Sequence, residues 1–599
     1  MVSIVGKSGS TYSLPKLPLF EAISRHNPDS SSVIHCLSKR TFKYGSLLGD
    51  VARARLRLLE IAGKQPQDDL NGERVAFLIE NGYDYVVILL AIFAVRAIAV
   101  PLSPAFPPAE LQYIINQSRA LILCTSQKFL LKAQDVMNVE LSSPPLMFML
   151  EKHTGDSPSS DQVKLEGEVG QSGMMLYTSG TTNRPKGVLL PTETLTAQCL
   201  SLVEAWDYTN RDHLLHVLPL HHIHGTVNAL LAPLFAGSCV EFLFPFNPDK
   251  VWQRFAAPFL SIAHKEEAIS QKITFFTVVP TVYSRLLTTF RDLEPELKAA
   301  AKEGISRANL RLNISGSAAL PTPLKQAWTD LSNGNVLLER YGMTEVGMAL
   351  SCGLATSDRV DGSVGWPLPS VQVRLVDLDT GSVIREGEEV DEKGRERQGE
   401  IQLRGPTIFR EYWDNPEATA NEFAAPDPDE AIADGNVRGN HDGKWFKTGD
   451  VAIRRCISSS NVGTGNSGMW TKSPYLYFIQ GRKSADIIKS GGEKVSALEV
   501  ERELLSLPQI TEAAVIAVPS GKWGQKVGCV VVLDRRVVKE SDKWTPLDMR
   551  RALRPKLVNY KIPQVMKVVD SIKRNAMGKV NKKLLVKEVF QDEFSGDEL

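Results

Sequence analysis

The stretch Tyr177-Thr178-Ser179-Gly180-Thr181-Thr182-Asn183-Arg184-Pro185-Lys186-Gly187 decides how the rest of the chain is read. It lies between the apolar runs Met174-Met175-Leu176 and Val188-Leu189-Leu190, so the pattern predicts strand, loop, strand. Hydroxyls and glycine let backbone N–H groups crowd an anion, and Lys186 adds a compact positive charge. A polyphosphate suits such a loop. A plain polar turn would use the same residue types, because Ser, Thr, Asn, Gly and Pro all favour turns. A Walker-type loop matches poorly: its lysine precedes Ser or Thr and opens a helix, whereas Lys186 precedes Gly187 and Val188. The word Gly6-Lys7-Ser8 has Met1 where that motif's first glycine belongs.

A chain of 599 residues exceeds one core, and 43% hydrophobic content supplies two or more packed domains. Lys+Arg and Asp+Glu each total 69, so no net field favours nucleic acid or an acidic membrane, and any anion site must be local. The seven cysteines stand singly with no Cys-x-x-Cys pair, which argues against a disulfide framework or structural zinc. The longest apolar run, 85–95, stops at Arg96, well short of the roughly 20 residues of a membrane helix. Residues 1–20 carry neither a long apolar core nor an arginine, so a reducing, cytoplasmic setting is expected, with a mitochondrial one as the alternative. The final Gly-Asp-Glu-Leu reads as a solvated tail.

Along the chain, Val-Ala-Phe-Leu-Ile after Arg74, the apolar stretch 85–97 and Ile98-Ala99-Val100-Pro101-Leu102 read as strand, helix, strand of a parallel sheet. A helix from Pro108, a strand at 121–124, an exposed connection over 141–171 and a helix over 192–206 follow. The run 214–220 reads as a buried strand ending at His221-His222-Ile223-His224. Those histidines lack the nearby Cys or Asp of a metal set. A strand over 273–280 precedes a helix carrying Arg285, and 312–320 is a strand entering the small-residue turn Ser315-Gly316-Ser317-Ala318. Strands are expected at 399–406, 513–519 and 527–533, with a helix over 546–557. Residues 424–443 and 456–474 read as mobile surface loops.

The 177–187 loop resembles the phosphate loop of the adenylate-forming superfamily of acyl-CoA synthetases, luciferases and adenylation domains. The word Arg340-Tyr341-Gly342-Met343-Thr344-Glu345-Val346-Gly347-Met348 looks most like malonyl-CoA synthetases of the acyl-CoA synthetase family member 3 type. The resemblance implies an α/β fold: a large N-terminal adenylation domain over 1–480, a hinge at 481–484 and a small mobile α+β domain over 485–599. It implies an AMP-forming ligase acting on malonate, with ATP and Mg²⁺, and CoA as co-substrate. It implies no nucleic acid, membrane span or obligate protein partner.

Residue by residue, the family pattern puts Thr178, Ser179, Gly180, Thr181, Thr182 and Lys186 around the phosphates. Gly316, Ser317 and Ala318 hold adenine, and Glu339, Arg340, Tyr341 and Gly342 close the other side. Thr344 contacts the α-phosphate and Glu345 holds Mg²⁺. Asp450 and Arg482 take the ribose, and Gly491 and Gly492 line the pantetheine path. His222, His224 and Met348 border the acyl group, and Arg285 meets a distal carboxylate, for which a guanidinium fork is well suited. Lys579, in Gly578-Lys579-Val580, bridges the attacking carboxylate and the α-phosphate. Ser484 stands at the hinge position where the family usually has Asp or Lys. A medium-chain or aromatic acyl-CoA synthetase, and a nucleotide-binding regulator that makes no thioester, are the competing readings.

Overall fold

The computed structural model describes residues 11–155, 161–178, 184–260, 271–426, 441, 443–491, 493–520, 524–539, 544–574 and 580–591. Its centre is the helix Tyr83–Ala94, in which every residue but Asp84 is buried. An apolar run with no polar face has to be covered on all sides, and the chain does this by building large sheets around it. In one seven-stranded sheet, Ile98–Pro101, Arg74–Leu78, Ile122–Thr125 and Leu146–Met149 run parallel; Gly173–Thr178 joins parallel to Ile98–Pro101. A nine-stranded sheet runs from Trp366–Pro367 through Gly347–Ser351, Leu338–Met343, Leu312–Gly316, Phe275–Val278 and His213–His216 to Cys239–Phe242, Ser31–His35 and Thr41–Lys43. Its central strands are parallel, so their C-terminal ends open at one edge.

A third sheet pairs Gln372–Asp377, Gly399–Arg404, Trp445–Cys456 and Tyr475–Arg482. The last five-stranded sheet, built from Ile487–Ser490, Glu493–Ser496, Ile510–Ser520, Gly524–Leu533 and Val565–Val568, has apolar clusters of its own against the helices Ala497–Leu505, Pro546–Leu553 and Lys582–Val589. The whole is a mixed α/β fold with a large N-terminal and a small C-terminal part.

The expected strands and helices form, with three differences. The connection 141–171 is partly β, because Leu146–Met149 extends the seven-stranded sheet and Gln162–Leu165 pairs with Thr11–Leu14. The strand expected over 214–220 stops at His216, and His224–Leu231 winds into a π-helix. Residues 456–474 are not a loose surface loop. Ser467 and Gly463 donate to the fully buried Asp358, Trp366 Nε1 donates to Ser473 O at 2.9 Å, and Trp470 packs on the core. Much of the other stretch read as a loop, 427–440, lies outside the described residues.

Candidate functional site

Thr178 and Lys186 are register partners at the open end of the antiparallel pair Gly173–Thr178 and Lys186–Pro191. The two strands therefore end side by side at these residues. Ser179, Gly180, Thr181 and Thr182 lie outside the described residues, as do Gly492 and Lys579. Beyond Lys186 the same strand pairs with Glu411–Tyr412, which places the Lys186 ammonium 4.4 Å over the Tyr412 ring. The Tyr412 hydroxyl donates to Glu345 Oε1 at 2.9 Å, and Phe409 N–H donates to Glu345 O at 2.7 Å. Glu345 is buried, and burial raises its pKa against the lowering effect of the Tyr412 bond and Arg482. Tyr412 thus joins two residues that lie far apart in the chain.

Thr344, half-buried, and Glu345 occupy the turn between Leu338–Met343 and Gly347–Ser351. That turn needs Gly347 at φ +68°, where a Cβ would lie 2.5 Å from Gln198 Cδ. Gly342 and Met348 face one another across this hairpin, and Met348 is buried. On the strand before the turn, Tyr341 donates to Asp450 Oδ2 at 2.6 Å. Arg482 Nε meets Asp450 Oδ1 at 2.9 Å, and its Nη1 donates to Thr448 O at 2.7 Å. Burial opposes the Arg482 charge, but Asp450 and its neighbours carry the pKa upward. Asp450 sits within the long strand Trp445–Cys456 just ahead of a register shift. The Glu339 carboxylate instead bonds the buried Lys325 at 2.8 Å and Gly362 N–H at 3.3 Å, so its side chain is committed to the framework.

A second group of candidate residues gathers at the C-terminal edge of the nine-stranded sheet. Gly316 pairs with Arg340, and its missing Cβ makes room for the guanidinium: a Cβ there would lie 2.6 Å from Arg340 Cζ. Arg340 is 3% exposed, donates from Nη2 to Ser317 Oγ at 3.2 Å, and buries Nε and Nη1 without a hydrogen-bond partner. Burial pulls its pKa down to about 9. His224 shares a 2.7 Å hydrogen bond with Thr277, leaves Nδ1 without one, and is held well below the ordinary histidine pKa by burial and then by Arg340. His222 is half-buried, with its ring 4.1 Å from that of His221. Ser317 and Ala318 form an exposed turn, with Ser317 at φ 65°. Arg285 is exposed and lies 4.8 Å over the Phe246 ring, whereas Gly491 stands apart on the small sheet's Ile487–Ser490 hairpin. Among the described residues no group of three His, Cys, Asp or Glu could hold a metal by itself. One buried carboxylate is nevertheless compatible with a magnesium ion, which keeps waters and takes most of its remaining ligands from substrate phosphates.

Lys186 at the end of a strand pair, the buried Glu345 linked to it through Tyr412, and the Asp450–Arg482 pair next to Tyr341 are the arrangement of an adenylate-forming enzyme. The chain belongs to the AMP-binding enzyme family: residues 20–413 match the AMP-binding enzyme model and 499–579 the AMP-binding enzyme C-terminal domain. A CoA ligase of Gibberella moniliformis is 53% identical over 97% of this chain and 96% of that protein. The malonate–CoA ligase ACSF3, mitochondrial, of Homo sapiens is 38% identical over 87% of this chain and 83% of its own. The crystal structure of ATP-bound MatB from Rhodopseudomonas palustris superimposes with a TM-score of 0.70 at 27% identity, covering 96% of this chain and 98% of that one.

Proposed function

We propose that this chain makes malonyl-CoA from malonate, CoA and ATP in two steps. A malonate carboxylate oxygen attacks the α-phosphorus, the bond to the β-phosphate breaks and pyrophosphate leaves. The CoA thiolate then attacks the acyl carbon, and AMP departs as the C–O bond breaks. The relatives named malonate–CoA ligase support the substrate, and one feature of this chain supports it independently: Arg340 is buried with two donor nitrogens unsatisfied. An unpaired buried guanidinium is costly, and a second carboxylate on the substrate would relieve that cost. A monocarboxylic acid offers no such relief.

In this reading Lys186 and the 179–183 loop take the phosphates, Asp450 and Arg482 the ribose hydroxyls, and the 316–318 turn the adenine. Thr344 meets the α-phosphate, and Lys579 bridges it to the attacking carboxylate. Glu345 would hold Mg²⁺, which supplies charge neutralisation on the phosphates. Tyr412 orients the Glu345 carboxylate, and His222, His224 and Met348 enclose the short acyl chain. Arg285 is the outer arginine, guiding a dianion inward, and Gly491 and Gly492 flank the pantetheine arm. No protein nucleophile is needed, so rate acceleration rests on positioning and fixed charge. The setting is cytoplasmic or, as for the mitochondrial human relative, mitochondrial.

The test is Arg340→Met, with Arg285→Ala beside it, assayed on malonate and on acetate. Losing a buried charged pair costs roughly 2–5 kcal/mol, so Arg340→Met should lower kcat/KM for malonate by at least about thirtyfold and leave acetate nearly unchanged. Equal loss on both acids would remove Arg340 from substrate recognition.

A further inference from the structure

The junction between the strand Tyr475–Arg482 and the terminal helix Lys582–Val589 holds a buried ionic knot that the two-step chemistry leaves unused. Lys582 Nζ lies 2.6 Å from Asp486 Oδ1 and 2.7 Å from Glu501 Oε1, with 13% of its side chain exposed. The other Asp486 oxygen accepts the Arg482 N–H at 2.9 Å, and Asp486 N–H donates to Arg482 O at 2.8 Å. Gly481, at φ +118°, permits this approach, since a Cβ there would lie 2.4 Å from Asp486 Cβ. Glu501 is anchored in turn by Val515 N–H at 2.8 Å, so the knot is tied to the small sheet. At its other end Arg482 reaches Asp450 and Thr448 O.

We propose that Lys582 is a positioning residue for the nucleotide: by fixing the Asp486 carboxylate it closes the 482–486 turn and aims the Arg482 guanidinium at Asp450. A carboxylate held by one backbone amide alone can rotate, and a cation on its second oxygen removes that freedom. The strand register sets Arg482 opposite Asp450, and Lys582, on the terminal helix 100 residues further along the chain, steadies the turn that follows. This inference rests on reading Arg482 and Asp450 as ribose partners.

The experiment measures KM for ATP, kcat and Tm in the full chain. Lys582→Met and the nearly isosteric Asp486→Asn should each raise KM for ATP by at least about tenfold while kcat at saturating ATP changes by less than about threefold. Lys582→Arg, which keeps the charge, should recover most of that loss. Lys561→Met serves as the structural control, because Lys561 pairs with Glu499 at 2.7 Å on the same helix as Glu501 but has no path to Arg482; it should lower Tm and leave KM for ATP alone. A normal KM in Lys582→Met and Asp486→Asn, or an equal rise in Lys561→Met, overturns the proposal. If Lys582→Met fails to fold, Asp486→Asn decides. Arg482→Ala separates the two levels: unchanged KM for ATP sinks the ribose reading and this inference with it, whereas a raised KM there with normal KM in the other two sinks the positioning role alone.

Discussion

Arg340 combines an electrostatic cost, set by its burial, with a use for it. Burial pulls its pKa from the ordinary arginine value down to about 9, so above about 9 the unfolded state binds the extra proton. The charged arginine therefore lowers stability at neutral pH and the penalty lifts only as pH rises through about 9. Arg340→Met should leave Tm unchanged or raise it at pH 7, and malonate should raise the Tm of the parent but not of the variant, as differential scanning fluorimetry would read. A large Tm loss in the variant would mean that the guanidinium has a partner in the free protein. Tyr412→Phe tests a neighbouring link. It keeps the ring over Lys186 and removes the hydrogen bond to Glu345, so pyrophosphate release should slow by about tenfold, the worth of one such bond, with Tm little changed. Full activity in the variant would separate Tyr412 from the reaction. Glu345 and Arg340 stand out in the sequence because they sit in one contiguous word, which the family pattern assigns to the nucleotide, with Arg285 on the distal carboxylate; giving that carboxylate to Arg340 rests on its burial in the folded chain. Tyr412 does not stand out, because only the pairing of Glu411–Tyr412 with Lys186–Pro191 brings it to the site, and no spacing in a linear chain records that.

Among the elements, strands and helices with strong periodicity were read correctly, and the misreadings have physical causes. Residues 456–474 are rich in Ser, Gly and Asn and look like a loop, yet those small polar groups satisfy the buried Asp358 and the apolar side chains among them fill a satellite core. The connection 141–171 looked exposed, yet it carries a clip. His153 Nδ1 bonds Asp84 at 2.7 Å and its Nε2 stands 3.6 Å from Asp50, which also receives the Tyr83 hydroxyl at 2.6 Å. Burial works against the His153 charge, but Asp50 and Asp84 prevail and carry its pKa up to about 9. The clip's contribution is therefore whole below the unfolded value of 6.5 and is lost as pH rises through about 9. Denaturant unfolding of the parent and His153→Asn should differ by about 2 kcal/mol at pH 6 and converge by about pH 10. A difference that does not vary with pH would show that packing and not charge carries the effect.

At the scale of the whole molecule, the proposed function has two half-reactions with different partners meeting at one centre and assigns residues of the small C-terminal part to both. Lys579→Ala should stop pyrophosphate release while a presynthesised malonyl-adenylate is still converted to thioester, because that lysine serves the first step only. Equal loss of both steps would argue against such a division. The division into large and small parts was legible from length and motif order, whereas the Arg482–Asp450 contact depended on a strand register within the third sheet that appears only in the folded chain. The central claim is that a second carboxylate is what the acyl site is built to receive. It is tested most directly by presenting the protein with ATP, CoA and an equimolar mixture of malonate, acetate, hexanoate and benzoate, and weighing the thioesters formed. Malonyl-CoA as the dominant product is the predicted result. A preference for hexanoyl-CoA or benzoyl-CoA would contradict it.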